Sequence, residues 1–166
     1  MAVDFAYKRR ARAQKGTAIR NIKLRMSRKL IYVSGLLACF VWHLEFDNKE
    51  RSAFFDGPDA SKRAIEFFRA RLQHTPLDIL CGALVQHSHL NETADRLLSA
   101  YDGFLGTLSD AEKRSHLEHL LPEQQDDDSV YKDFRKLSHG FRDGLLALFF
   151  DQQSVLYELT KLYGVF

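Results

Sequence analysis

Apolar residues along this chain recur at intervals of three and four, and almost no stretch alternates strictly, which predicts helices throughout. From Thr17 to about Phe46 the pattern reads as one long helix, with Ile22, Met26, Val33, Leu37, Phe40 and Leu44 on one face. Its first half is basic on the other sides. Its second half is apolar nearly all round, so the helix is expected to pass from surface to centre. A polar connection is expected over Asp47–Asp59, with Phe54-Phe55 and an Asp-Gly-Pro-Asp turn inside it. A helix from Pro58-Asp59 to about Leu72 follows.

The next helix has the plainest start. Thr75-Pro76-Leu77-Asp78 supplies a cap oxygen, a proline at the first helical position and a carboxylate at the third. Leu77, Leu80, Cys81, Leu84 and Val85 form its apolar stripe, and His87-Ser88-His89 should end it. Asn91 is placed to cap a helix to about Leu105, with Leu97, Leu98, Tyr101 and Leu105 inward. Ser109-Asp110-Ala111-Glu112 reads as a second capping box, opening a short helix that Pro122 terminates. Past the acidic loop Glu123–Asp128, the residues Tyr131, Phe134, Leu137, Phe141, Leu145 and Leu148 mark a long helix to about Phe150. A last helix runs from Gln152 to Tyr163, with Val155, Leu156, Leu159 and Leu162 together.

The fold class expected is therefore all-α: a single compact bundle of six or seven helices around the hydrophobic helix at about 30–46. Residues 1–16 read as a basic arm and 17–166 as the helical domain. Gly35, Gly82, Gly103, Gly140 and Gly144 lie inside helices, where each costs about 1 kcal/mol relative to Ala. Close helix–helix approach is the expected return.

Composition narrows the class further. The 166 residues are 45% hydrophobic and 28% charged, with nine Gly and three Pro, which excludes disordered, collagen-like and disulfide-scaffold chains. Cys39 and Cys81 both sit in apolar runs and are expected to be buried thiols in a reducing compartment. The apolar run Leu30–Leu44 is shorter than the roughly 17–20 residues a membrane span needs. A buried core helix and a cytoplasmic protein are the expectation.

Charge is the uneven feature. The net charge is only +2, but residues 1–30 hold ten basic side chains and the single acid Asp4. The rest of the chain is correspondingly acidic. Lys8, Arg9, Arg10, Arg12, Arg20, Arg25, Arg28 and Lys29 are the candidate nucleic-acid-binding residues, since cations on phosphates release counterions and supply affinity without reading sequence. Arg20, Ser27 and Arg28 project broadly together, and Arg25 and Lys29 form an adjacent pair. An acidic protein partner, the protein's own acidic body, a second copy and, least, a membrane surface are the other readings. Exposed aromatic residues, with Phe54, Phe55, Phe149 and Phe150 as candidates, would mark a protein interface.

Other constellations are weaker. His116 and His119 lie three apart with Glu112 one turn earlier, but this is neither a His-Glu-x-x-His nor a Glu-x-x-His pattern, and an exposed charged face is expected. His43 reads as a satisfied buried histidine. Asp126–Asp128 lacks the spaced ligands of a calcium loop. The sequence offers no metal set, no cofactor motif, no nucleophilic triad and no evident small-molecule substrate site.

Arg135-Lys-Leu-Ser-His139 places a guanidinium and an imidazole about one turn apart, expected opposite the Phe134–Phe141 stripe with Asp143 beside His139. Such a pair can serve phosphodiester cleavage, the imidazole moving a 2′-hydroxyl proton and the guanidinium steadying the phosphorane. The pair resembles that of small helical ribonucleases of the HEPN type, which implies metal-independent RNA cleavage by Arg135 and His139. Here only three residues intervene, and Lys136 follows the arginine where that family has a polar residue. The leading expectation is a non-enzymatic binding or accessory module contacting nucleic-acid phosphates. A protein-docking subunit of a larger assembly and the ribonuclease are the alternatives.

Overall fold

The computed structural model describes residues 16–86 and 90–164, and these residues are all-α, with no strand among them. In chain order the helices are α1 (Thr17–Lys23), a π-helical segment (Leu24–Arg28), α2 (Lys29–Glu45), α3 (Asn48–Phe54), α4 (Ala60–Arg71), α5 (Pro76–Gln86), α6 (Asn91–Ser109), α7 (Ala111–His119), a 3₁₀ turn (Pro122–Gln124), α8 (Ser129–Phe150) and α9 (Val155–Tyr163). They gather into two compact units. The first takes the described residues through Arg28 together with Glu92–Leu145, and the second takes Lys29–Asn91 with the chain from Leu146.

In the first unit, α8 carries the stripe expected of it: Tyr131, Phe134, Phe141 and Leu145 are buried, with Leu137 half-buried. Asp128 caps the helix by accepting the Tyr131 amide at 2.8 Å. The inward face of α6 differs from expectation. Leu97 is buried, but Ala100 and Phe104 join it, while Leu105 is 43% exposed. The reason lies in two glycines. A Cβ on Gly144 would stand 2.9 Å from the Leu97 Cβ, and one on Gly103 would stand 3.0 Å from Leu137. α6 and α8 therefore approach through these glycines, and the face of α6 bearing Ala100, Gly103 and Phe104 turns inward. α7 begins at Asp110, not Ser109, which is the last residue of α6; the Asp110 carboxylate accepts the amides of Glu112 and Lys113, each at 3.0 Å.

The stretch 17–45 is helical throughout, as the periodicity predicts, with the π segment as an addition. Ile22, Met26 and Leu30 follow at successive four-residue steps, and each such step drifts about 40° round an α-helix. The wider π turn absorbs that drift and keeps all three buried. Gly16 adopts the left-handed conformation (φ 73°) at the start of α1, and its amide donates to the Glu118 carbonyl of α7 at 3.0 Å.

The second unit is built on α2, which packs mainly against α5 and, less extensively, α9. Its Leu30, Val33, Leu37, Ala38, Phe40 and Trp42 are buried, but Ile31 and Tyr32 are 60% and 47% exposed, so this helix has an open side and is not surrounded. α5 starts as expected: the Thr75 amide donates to Asp78 at 3.0 Å and the Asp78 amide donates to Thr75 Oγ1 at 3.2 Å. Leu80 and Leu84 fill its inner face, whereas Val85 is 79% exposed. On α9, Leu156 and Leu159 are buried and Leu162 is exposed.

The connection expected over Asp47–Asp59 contains a helix, α3. Asp47 and Glu50 close a capping box, with bonds of 2.8 and 2.9 Å. Phe54, Phe46 and Phe67 ring Trp42, at centroid distances of 4.2, 4.8 and 5.1 Å. Yet neither α3 nor α4 contributes a buried residue, and Phe55, Ile65 and Leu72 are exposed. Phe150 is exposed too, while Phe149 is buried against Phe40, contrary to its expected place in a surface patch. Glycine packing also divides: Gly35 and Gly82 would meet nothing within 4 Å, so they serve no close approach. No single helix among the described residues is long and apolar enough to cross a membrane.

Candidate functional site

The candidate phosphate-binding residues Lys8, Arg9, Arg10 and Arg12 lie outside the described residues. The rest sit on α1, the π segment and the first residue of α2. Burial of Ala18, Ile19, Ile22 and Met26 fixes the orientation of α1 and the π segment, leaving Arg20, Lys23, Arg25 and Arg28 exposed. Arg20 donates to Thr17 Oγ1 at 3.3 Å. Lys29 is half-buried. Lys23, Arg25 and Arg28 form no ion pair with any side chain among the described residues. The acid-rich part of the same unit lies close in the chain's own fold, since α1 packs against α7, but it does not neutralise these three cations.

A second cationic surface lies on the outer side of α8. Ser129, Lys132, Asp133, Arg135, Lys136 and His139 line an open depression of about 430 Å³. The structure thus brings Arg135 and His139 to one surface feature. On this side of α8, however, three of the cations have an acid. Arg135 pairs with Asp126 at 2.8 Å, Lys136 with Asp133 at 2.9 Å and Arg142 with Asp143 at 2.8 Å. Asp143 therefore serves Arg142, not His139 as the helical spacing suggested. Lys132 donates to the Asp127 carbonyl.

Three of the other histidines, His116, His119 and His43, have structural partners. His116 Nε2 lies 2.6 Å from Asp128 Oδ2, tying α7 to the start of α8. Burial pushes the Asp128 carboxyl up, but the Tyr131 amide, the His116 hydrogen bond and the His116 charge pull it down further, leaving it below the ordinary carboxylate range. His119 Nδ1 is 2.8 Å from the Ser115 carbonyl. His43 is half-buried and stacked on Tyr163 at 4.5 Å; burial, and then the Arg51 charge, hold it below the ordinary imidazole value. His87 and His89 lie outside the described residues. Among the described residues no three His, Cys, Asp or Glu side chains converge as a metal set.

Both cysteines are free thiols, and neither is fully buried: Cys39 is exposed on the open side of α2 and Cys81 is half-buried. The expectation of two buried thiols fails because α2 and α5 each leave one apolar flank uncovered. Burial, and then the Asp78 charge, push the Cys81 thiol up, away from reactivity.

Spacing alone gave no hint of three arginines that organise the second unit. Arg51 donates to the Phe46 carbonyl at 2.7 Å and the His43 carbonyl at 3.2 Å, satisfying the end of α2. Arg63 donates to the Phe54 carbonyl at 2.7 Å. Arg71 lies over the Phe67 ring at 3.6 Å and pairs with Glu45, 26 residues away. Glu45 and Arg71 also border a cavity between α2 and α5. No protein-family model matches the chain, nor does any curated protein or solved structure.

Proposed function

We propose that this chain is a non-enzymatic, cytoplasmic binding module whose exposed N-terminal cations contact nucleic-acid phosphates. The observation that carries this reading is the contrast between its two cationic surfaces. Lys23, Arg25 and Arg28 have no counter-charge among the described residues, whereas Arg135, Lys136 and Arg142 are each paired to an aspartate. A cation without a fixed partner gains the most from a phosphate, because no existing ion pair must be broken. Lys8, Arg9, Arg10 and Arg12 precede this helix in sequence and would extend the contact along the backbone.

Affinity in this reading is electrostatic and indifferent to base sequence. Labelled single-stranded RNA and duplex DNA, titrated with the full chain across a salt series, test it. Binding at low salt that weakens steeply as salt rises supports the module. Its absence at low salt overturns it. RNA cleavage in the same samples, without metal and lost in His139→Ala, would instead support the ribonuclease.

A protein-docking subunit is the second reading, favoured by a different observation. Two consecutive helices, α3 and α4, bury no residue, and Ile65 of α4 is exposed together with Phe55 and Leu72, which directly follow the two helices. Concentration-dependent association that persists at high salt would favour it.

A further inference from the structure

We propose that the cavity between α2 and α5 binds a small apolar monocarboxylate. The proposal does not depend on the nucleic-acid reading, since every residue it uses lies in the second unit. The cavity has a volume of about 180 Å³ and is walled by Leu37, Val41 and Leu44 of α2, Ile79 and Ala83 of α5, and Leu156 of α9. An apolar cavity of about 150 Å³ is enough to hold benzene. The space therefore suits a single ring or a short hydrocarbon chain.

Gly82 shows that this room is not a by-product of tight packing. Gly103 and Gly144 stand where a Cβ would collide with a neighbour. Gly82 also lines the cavity, and a Cβ there would meet nothing within 4 Å. A glycine inside a helix is unfavourable, and here it leaves the cavity unfilled where almost any side chain would occupy it.

The polar lining residues are Glu45, Arg71, His74 and Gln86, and of these Glu45 and Arg71 meet in an ion pair. Arg71 is the fixed group. Its guanidinium rests on the Phe67 ring, one terminal nitrogen donates to the Phe67 carbonyl, and its side chain is only 27% exposed. Glu45 is the loose group, with a side chain 48% exposed and its carboxylate on the other terminal nitrogen. Glu45 occupies the position a ligand carboxylate would take. Exchanging one carboxylate for another leaves the Arg71 charge compensated throughout, so the ligand's tail burial drives binding while the headgroup is selected by a planar, two-donor guanidinium. An alcohol gains only the tail. An amine must take Glu45 and leave Arg71 uncompensated.

The test is isothermal titration of the full chain with octanoate, octan-1-ol and octylamine. Octanoate should bind saturably at one site, about tenfold or more tighter than either analogue. Glu45→Gln should tighten octanoate several-fold by removing its competitor, and Arg71→Gln should weaken it about tenfold or more. Gly82→Leu should abolish binding of all three probes while the melting temperature holds or rises. Octanoate binding no better than octan-1-ol, a preference for octylamine, weaker binding in Glu45→Gln, or unchanged binding in Gly82→Leu would each overturn the proposal. Should Arg71→Gln fail to fold by circular dichroism, Glu45→Gln and Gly82→Leu still decide it, because they predict opposite signs.

Discussion

The two cationic faces of the first unit carry similar numbers of basic side chains but treat them differently. Around α8, the acids Asp126, Asp133 and Asp143 sit within 3 Å of Arg135, Lys136 and Arg142. On α1 and the π segment, Lys23, Arg25 and Arg28 are exposed and form no ion pair among the described residues. The contrast shows that a count of lysines and arginines does not identify an anion site. Where charge alone drives binding, what matters is whether the fold has already supplied the anions. Residues 92–145 hold twelve acids against seven basic residues, so α8 belongs to the acidic part of the chain and its cations are internally compensated.

The largest expected effect separates the faces directly. Changing Lys23, Arg25 and Arg28 together to Ala should weaken duplex binding on the order of 100-fold at low salt, measured by fluorescence anisotropy. The matched triple change of Arg135, Lys136 and Arg142 should alter it no more than about twofold, since an aspartate beside each of those charges already cancels it. Equal losses from both variants would break the comparison.

If α8 is mainly structural, its inner side should matter more than its outer side. Gly144→Ala should cost about 1–3 kcal/mol in urea denaturation, because its Cβ would stand 2.9 Å from the Leu97 Cβ and α6 and α8 must separate. Lys136→Ala should cost less than about 0.5 kcal/mol.

The Asp128 cap should weigh next. Asp128→Ala should remove about 1–2 kcal/mol at neutral pH by deleting the cap and the His116 contact, and Asp128→Asn, which keeps a cap oxygen, should cost less. The folded carboxyl titrates below its unfolded value. Its contribution is therefore complete above about pH 4 and is lost as pH falls through the lowered value. Thermal melts of wild type should fall through that acid range, and Asp128→Asn should flatten that fall. A melting profile identical in the two proteins would contradict the assignment.

The smallest effect sharpens the comparison from the other direction. Asp126→Asn, Asp133→Asn and Asp143→Asn combined should release the α8 cations and raise nucleic-acid affinity a few-fold, with a steeper salt dependence.

Much of the fold was legible because long helices repeat their signal. The stripe on α8 spans six apolar positions, and one error in register would have exposed them all. The Thr75–Asp78 start was legible because capping is a local bond pattern. The inward face of α6 was not, since Leu97-Tyr101-Leu105 and Leu97-Ala100-Phe104 are both helical stripes. Only contact with α8 through Gly103 and Gly144 selects the second. α3 was missed although Asp47-Asn-Lys-Glu50 is a capping-box sequence. Its helix is two turns long and buries nothing, so it leaves no apolar periodicity.

The candidate site was legible in part. The clustering of cations in residues 1–30 is visible in the sequence, but which of them are unpaired depends on contacts far apart in the chain. Arg135 illustrates this: its spacing to His139 suggested chemistry, and only the fold shows Asp126 on its guanidinium. The cavity bordered by Glu45 and Arg71 left no trace in the spacing, because residues of α2, α4, α5 and α9, far apart in the chain, form it together.

The salt dependence of duplex DNA binding tests the central claim most directly. In a plot of log affinity against log salt concentration, each phosphate contact contributes a slope of about −0.9. The Lys23, Arg25 and Arg28 triple variant should lose two to three of those contacts, making the slope shallower by roughly 2–3, while the Arg135, Lys136 and Arg142 variant keeps the wild-type slope. A slope unchanged in the first variant, or lowered equally in both, would contradict the assignment of the phosphate-contacting surface to the N-terminal helix.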